Sequence, residues 1–135
     1  MAFRVSEVPN SWRQLDIDGA LLAFRDDAHQ ATVLLNGRCG KDGDDVPLTS
    51  LTKHLFLYFT DRHVHLQEPM MLDGREALRT EETAKLDGVS QRFVSVVLKK
   101  DTCVYDFIHV TGPERDANSE RAFDRFVSGF RTLAQ

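Results

Sequence analysis

Two histidines on one predicted strand are the first residues whose spacing could support chemistry. His63 and His65 lie two positions apart, so a strand points both to one face about 7 Å apart, a separation that two ligands of one metal ion can share. Val64 and Leu66 alternate with them and are expected to take the inner face. No neighbouring acid or cysteine is an obvious third ligand. The pattern therefore favours solvent-facing histidines over a metal site.

A cysteine and a histidine on the last predicted strand are the second candidate pair. Cys103 and His109 share a face, as a nucleophile and its base would. However, six strand residues separate them by about 20 Å, which is well beyond hydrogen-bonding distance. This pairing predicts no catalytic site, and we predict no catalytic residue elsewhere in the chain.

The loop over residues 37–45 combines glycine, lysine and acids. Its first part is similar to a phosphate-binding loop, but the first spacing is short and Asp42 stands where a magnesium-binding hydroxyl is required. The acids Asp42, Asp44 and Asp45 lack the order of an EF-hand and its terminal Glu. We expect a solvated loop that binds no cofactor.

Asp106 is the most informative single residue. It lies between Val104 and Ile108 on an apolar strand face, where ionisation costs free energy unless the carboxylate is paired or hydrogen-bonded. The expected register puts it opposite Ser95, whose hydroxyl could donate to it. The favoured interpretation is a satisfied structural carboxylate. The functional alternative makes Asp106 and Ser95 the polar anchor of a pocket.

The first half of the chain reads as three strands and a helix. Asp-Gly pairs favour tight hairpin turns, and three of them lie between strand-like runs, at Asp18-Gly19, Asp73-Gly74 and Asp87-Gly88. The predicted strands are Trp12–Ile17, Ala20–Arg25 and Ala31–Asn36. A broad apolar stripe at helical spacing predicts a helix over Leu48–Phe59, with Pro47 at its start.

The second half reads as a four-stranded meander and a closing helix. The predicted strands are His63–Leu72, Arg75–Leu86, Val89–Lys99 and Thr102–Val110. Pro69 has no N–H to donate to a neighbouring strand, so the strand that contains it must lie at an edge of the sheet or contain a bulge. A turn at Asp87-Gly88 pairs Leu78 with Val97, and a turn at Lys100-Asp101 would pair Tyr105 with Val96. The helix spans about Asn118–Leu133.

These elements predict an α+β fold, with an antiparallel sheet of about seven strands flanked by two helices. The last two strands are apolar on both faces, which implies a layer on each side of the sheet.

Composition excludes several classes of function. The chain has 135 residues, of which 41% are hydrophobic and 28% charged, and a net charge of -4. It carries no basic stripe, which argues against nucleic-acid binding. The longest apolar run, Leu55–Phe59, is far shorter than the roughly 20 residues that a transmembrane helix needs. The start lacks a secretory pattern, so a literal interpretation is cytoplasmic. Two cysteines could form one bridge in an oxidising compartment.

Four segments carry a resemblance to known proteins: Pro9-Asn10-Ser11-Trp12, Asn36-Gly37-Arg38-Cys39, Leu98–Asp106 and Phe123–Phe130. With the order of elements, they resemble the PsbP-like fold and a family of small bacterial envelope proteins, often lipoproteins. The resemblance implies one α/β/α sandwich domain over residues 1–135 and a disulfide between Cys39 and Cys103. The chain departs from the lipoprotein pattern because it has no N-terminal lipid-bearing cysteine. It is therefore either a mature envelope domain or a cytosolic relative.

Three functions follow from these observations. The favoured hypothesis is a non-enzymatic binding or accessory domain of the cell envelope with a protein partner, since PsbP-like proteins mostly bind proteins. The first alternative is a cytosolic chaperone that shelters an apolar segment of its partner. The second is a small metal-dependent or carboxylate-based enzyme that uses Asp106, His63 or His65.

Overall fold

The computed structural model describes residues 2–40 and 46–133. Within those ranges the elements, in chain order, are β1 Phe3–Arg4, β2 Trp12–Gln14, β3 Leu22–Asp26, β4 Ala31–Cys39, α1 Leu48–His54, β5 Thr60–Leu72, β6 Arg75–Leu86, β7 Val89–Lys100, β8 Cys103–Thr111, α2 Ala117–Ser128 and β9 Arg131–Thr132. Neither helix is long and apolar enough to cross a membrane among these described residues.

Seven strands form one antiparallel sheet in the order β2-β3-β4-β8-β7-β6-β5, which confirms the predicted α+β class. The pairing of β4 with β8 joins the N-terminal hairpin to the C-terminal meander. The strand that contains Pro69 lies at an edge, as its missing N–H requires. β1 and β9 form a separate two-stranded sheet that brings the two ends of the chain together.

The predicted hairpin turns form where the backbone must take positive φ. Asp73 and Asp87 each have φ of 51°, and the glycines that follow have φ of 77° and 79°. This combination is that of a two-residue type I′ turn. Leu78 consequently pairs with Val97, as predicted. Asp18-Gly19 also forms a turn, but within a longer connection between β2 and β3.

The register between β7 and β8 differs from the prediction by two residues. The turn residues are Asp101 and Thr102, with φ of 53° and 65°, rather than Lys100 and Asp101. As a result Tyr105 pairs with Leu98 and Asp106 pairs with Val97, not with Ser95. A shift of two residues keeps every side chain on the same face. The apolar pattern therefore could not distinguish the two registers.

Helix α2 covers one face of the sheet with its apolar side. Phe123, Phe126 and Val127 are buried against the strands, together with Phe130 just beyond the helix. The carboxylate of Asp116 caps the helix by accepting a hydrogen bond from the Ser119 amide at 3.1 Å. The helix ends at Ser128 rather than at Leu133 because the chain turns there to form β9.

Helix α1 covers part of the other face and is shorter than predicted. It ends at His54, and the chain turns through residues 55–58 before entering β5. Phe56 and Phe59 pack against Phe93 in this turn. The end of the helix is held by Arg62, whose Nη1 donates to the Lys53 carbonyl at 2.7 Å.

A buried ionic network holds α2 to the sheet. Arg92 Nε donates to Glu120 Oε2 at 2.7 Å, and Arg92 Nη2 contacts Glu81. Arg79 contacts both Glu81 and Asp124 of α2. Burial opposes the ionisation of Glu81, but hydrogen bonds from Arg79 and Arg92 outweigh it and lower the pKa of Glu81. Glu81 therefore stays ionised at neutral pH.

Asp73 fastens the last strand to the β5–β6 turn. Its Oδ2 accepts hydrogen bonds from Lys100 Nζ at 2.8 Å, from the Thr132 amide at 2.8 Å and from the Thr132 hydroxyl at 2.7 Å. Burial opposes its ionisation, but these donors lower the pKa of Asp73 to about 2. The carboxylate therefore holds β9 in place over almost the whole acid range.

Candidate functional site

Asp106 lies in the middle of β8 and is only 4% exposed. Val97 on β7 lies opposite it on one side and Asn36 on β4 on the other. Ser95, which is 1% exposed, lies opposite Ile108 and is therefore a diagonal neighbour of Asp106 on the same face. The structure brings the two predicted polar residues near each other: Ser95 lies two residues along β7 from Val97, the residue that pairs with Asp106.

One polar atom of each residue lacks a hydrogen-bond partner among the described residues. Asp106 Oδ1 and Ser95 Oγ make no hydrogen bond within the described part of the chain. Arg38 Nη1 lies 3.7 Å from Asp106 Oδ2, but its side chain is largely exposed. Burial raises the pKa of Asp106 to about 6, and the charge of Arg38 opposes this rise only in part. Ser95 is therefore not the donor that the expected register offered to Asp106, and the choice between a structural and a functional carboxylate stays a prediction.

Asp106→Asn is expected to stabilise the protein by about 1–3 kcal/mol at pH 7. Well below pH 3.8 the carboxyl is protonated in both the folded and the unfolded chain and has no effect. Between pH 4 and pH 6 the unfolded chain ionises first, so stability falls as pH rises, and it stays lower above pH 6. The side-chain amide of the asparagine cannot ionise, so the variant should not show this decline. The free energy of unfolding is measured in urea at pH 4, 5, 6 and 7.5.

Asp16→Asn is the matched control, because Asp16 is exposed and its replacement should leave the pH dependence of stability unchanged. If Asp106→Asn lowers the free energy of unfolding at pH 7, the carboxylate has a stabilising partner and this account of the site is wrong.

A serine–histidine pair on the opposite face was not predicted. His109 Nε2 lies 2.8 Å from Ser119 Oγ, the contact of a base with a nucleophile. Each of the two residues is 1% exposed, so a substrate cannot reach the hydroxyl. Burial lowers the pKa of His109, although the acids Glu120, Asp116 and Asp124 oppose this. The pair packs α2 on β8, and no local pattern in the sequence pointed to it.

His63 and His65 lie on the exposed edge strand. His65 Nε2 is 2.9 Å from Thr83 Oγ1. In the parts of the chain that the structure describes, no three His, Cys, Asp or Glu residues are placed to hold one metal ion. The prediction that Val64 and Leu66 face the core is wrong, since both are exposed. Register shifts interrupt the β5–β6 ladder between Thr60 and His63 and between Val64 and Leu66, and they disturb the alternation that the prediction assumed.

Cys39 and Cys103 form a disulfide, as the resemblance implied. They are paired residues at the end of β4 and the start of β8, 64 positions apart in sequence. The Gly40 amide donates to the Thr102 carbonyl at 3.0 Å beside them. The acidic residues Asp42, Asp44 and Asp45, considered above for cation binding, lie outside the described residues.

Exposed apolar side chains gather at one end of the sheet. We call this surface the apolar rim, and its members are Leu57, Tyr58, Val64, Leu86 and Val89, between 39% and 88% exposed. Leu57 and Tyr58 lie in the turn before β5, whose first residue Thr60 pairs with Lys85, next to Leu86. Leu86 pairs with Val89. The rim continues outward from the buried Phe56–Phe93 contact.

An antiparallel seven-stranded sheet between two helices, with the long meander at one edge and a short hairpin at the other, defines a PsbP-like α+β sandwich. Cyanobacterial PsbP from Synechocystis sp. PCC 6803 superposes with a TM-score of 0.68 at 14% identity, covering 98% of this chain and 93% of that one. LpqN of Mycobacterium tuberculosis, which is involved in cell envelope biogenesis, gives 0.66 at 13% identity over 98% and 85%.

A third similar structure is PA94 of Pseudomonas aeruginosa, a protein of unknown function, with a TM-score of 0.60 at 14% identity over 100% of this chain and 98% of that one. No protein-family profile matches the chain, and no curated protein matches it in sequence. At these identities the likeness establishes the fold, which confirms the predicted PsbP-like architecture.

Proposed function

We propose that the chain is a single non-enzymatic domain that binds a protein partner in the bacterial cell envelope, and that the apolar rim is its contact surface. The observation that carries the proposal is the exposure of Leu57 and Tyr58, at 63% and 88%, beside three further exposed apolar residues at the same end of the sheet. Clustered exposed apolar side chains mark interaction surfaces more often than scattered ones do.

The edge of β5 is a poorer contact surface than the rim. An exposed strand edge can accept a partner strand through its backbone groups. Here Pro69 removes one donor, and two bulges break the strand near Thr60 and Val64. Charged residues such as Arg62 and Glu68 also lie along it. These features protect sheet edges against strand addition, so side-chain contacts at the rim are the better supported mode.

The disulfide supports the envelope over the cytosolic chaperone alternative. Disulfides persist in oxidising compartments and are rare in the cytosol. The likeness of the fold to LpqN, a protein of cell envelope biogenesis, agrees with this choice.

Leu57→Ser and Tyr58→Ser are expected to abolish partner binding while changing the free energy of unfolding by less than about 0.5 kcal/mol, because both side chains are exposed. Binding is measured by placing a photo-crosslinking benzoylphenylalanine at position 58 in cells that produce the protein naturally. We expect one discrete protein adduct in the envelope fraction, and its loss when Leu57→Ser is added.

Met71 provides the matched control, since it is 70% exposed at the opposite end of β5. The same crosslinker at position 71 should give no adduct. Identical adducts at positions 58 and 71, or none at position 58, would contradict the rim as the contact surface. Recovery of the protein in the cytosol with reduced cysteines would contradict the envelope assignment.

A further inference from the structure

Helix α1 covers the part of the sheet that surrounds Asp106. The apolar neighbours of Asp106 on its own face are Val97, Val104 and Ile108. Leu51 of α1 packs with the first two, and Leu55, just beyond the helix, belongs to the clusters that contain all three. The unpartnered atoms Asp106 Oδ1 and Ser95 Oγ therefore lie beside an apolar contact on the β7 side, while Asn36 and Arg38 of β4 flank Asp106 on the other side.

The helix has little stability of its own. It contains 7 residues, its N-cap Pro47 gives no side-chain hydrogen bond, and no acidic residue lies in its first turn. Helices this short are not stable in isolation, so α1 exists because it is docked. Two polar contacts assist the apolar ones at its ends: Lys99 Nζ donates to the Val46 carbonyl at 2.7 Å and Arg62 Nη1 to the Lys53 carbonyl at 2.7 Å.

We propose that α1 is a pH-sensitive cover, docked on the sheet while the buried carboxyl of Asp106 is protonated and opening locally when that carboxyl ionises. Opening admits water to the carboxylate and removes the cost of burying its charge. It also uncovers Leu51, Val97 and Val104, which are buried while α1 is docked. This inference does not depend on the function proposed for the rim.

The charged groups around α1 come from every element that packs near Asp106. They are Arg38 on β4, Lys99 on β7, Glu82 on β6 with its partner Arg62 on β5, and Lys53 and His54 in the last turn of α1. Glu82 is engaged by Arg62 at 3.0 Å. Arg38 is the nearest cation to Asp106, but at 3.7 Å and largely exposed it compensates the buried charge only weakly.

The pKa of Asp106 sets how far pH can change the opening equilibrium of α1. Burial raises the pKa of Asp106 from 3.8 to about 6. Opening is unaffected by pH below 4, becomes more favourable as pH rises from 4 to 6, and is constant above that range. The maximum change is about 100-fold in the opening equilibrium, reached only if the open state fully hydrates the carboxylate.

Amide hydrogen exchange measured by NMR at pH 5 and pH 7.5, corrected for intrinsic rates, tests the cover. Between these pH values we expect protection of the amides of residues 51–55 to fall by up to about 10-fold in the native protein. These amides should also be less protected than those of α2. Their exchange rates should depend little on low concentrations of urea, because local opening exposes little surface. In Asp106→Asn protection should change little, whereas Asp16→Asn should behave like the native protein.

Three outcomes would overturn the cover. Protection of α1 that is the same at both pH values in the native protein means that Asp106 does not control docking. An equal fall in Asp106→Asn assigns the effect to another group, such as His54. Protection and urea dependence that match those of α2 mean that α1 opens only when the whole domain unfolds.

Discussion

Arg92→Met is expected to lower the free energy of unfolding by about 3–5 kcal/mol at neutral pH. The substitution keeps much of the side-chain volume but leaves Glu120 and Glu81 buried without their shared cation. Arg79 and the exposed Arg115 still contact these acids, yet neither replaces the contacts of Arg92. Urea unfolding at pH 7 measures the loss.

The pH dependence supplies a second readout of the same variant. In the native protein the lowered pKa of Glu81 contributes stability that is present above its ordinary pKa of 4.5 and is lost as pH falls. Without Arg92 this contribution shrinks, so the variant should lose less stability on acidification than the native protein does. The deficit between the two should narrow towards pH 3.

Arg13→Met is the control for Arg92→Met. Arg13 pairs with Asp27 at 2.8 Å, but both side chains are more than half exposed. Solvent screens exposed ion pairs, which contribute little to stability, so this variant should unfold at nearly the same urea concentration as the native protein. If the two variants lose similar stability, the buried Arg92 network stabilises the protein no more than an exposed ion pair does. Another contact must then be the main polar link between α2 and the sheet.

Removing the disulfide is expected to cost about 2–4 kcal/mol, or roughly 10 °C in melting temperature. The bond closes a loop between positions that are 64 residues apart, and it limits the conformational freedom of the unfolded chain. The variant is Cys39→Ala with Cys103→Ala, which avoids leaving a single free thiol. Thermal unfolding monitored by circular dichroism gives the shift.

The native protein treated with a reductant is the control for the disulfide, and it should melt close to the double variant. A reductant should not affect the double variant itself. If the oxidised native protein and the double variant melt at the same temperature, the β4–β8 ladder alone holds this part of the sheet, and the bond contributes no stability. Such a result would also weaken the support that the disulfide gives to an envelope location.

The candidate site illustrates how far local sequence can reach. The alternation of Val104, Asp106 and Ile108 placed the carboxyl on an apolar face, and the structure puts it there, buried. The prediction that Ser95 lies directly opposite Asp106 was wrong, because the β7–β8 turn uses Asp101 and Thr102. The polar pair therefore lies diagonally, without the direct hydrogen bond that the expected register offered.

The exposed rim illustrates a second limit. The apolar residues after Leu48 fit a helix as far as Phe59, since helical spacing alone cannot show where a helix must stop. The chain ends α1 at His54 in order to enter β5, and this leaves Leu57 and Tyr58 facing outward while Phe56 turns inward. The surface that we propose for binding exists because of that early end.

The sequence by itself determined what depends on near neighbours. The Asp73-Gly74 and Asp87-Gly88 turns follow from backbone preferences of two residues, and the apolar face of α2 follows from a repeat of 3.6 residues. Tertiary structure decided which distant residues meet: Cys39 with Cys103, Arg92 with Glu120, and His109 with Ser119. These contacts depend on the order of strands and on where helices lie across the sheet, and short-range periodicity contains no information about either.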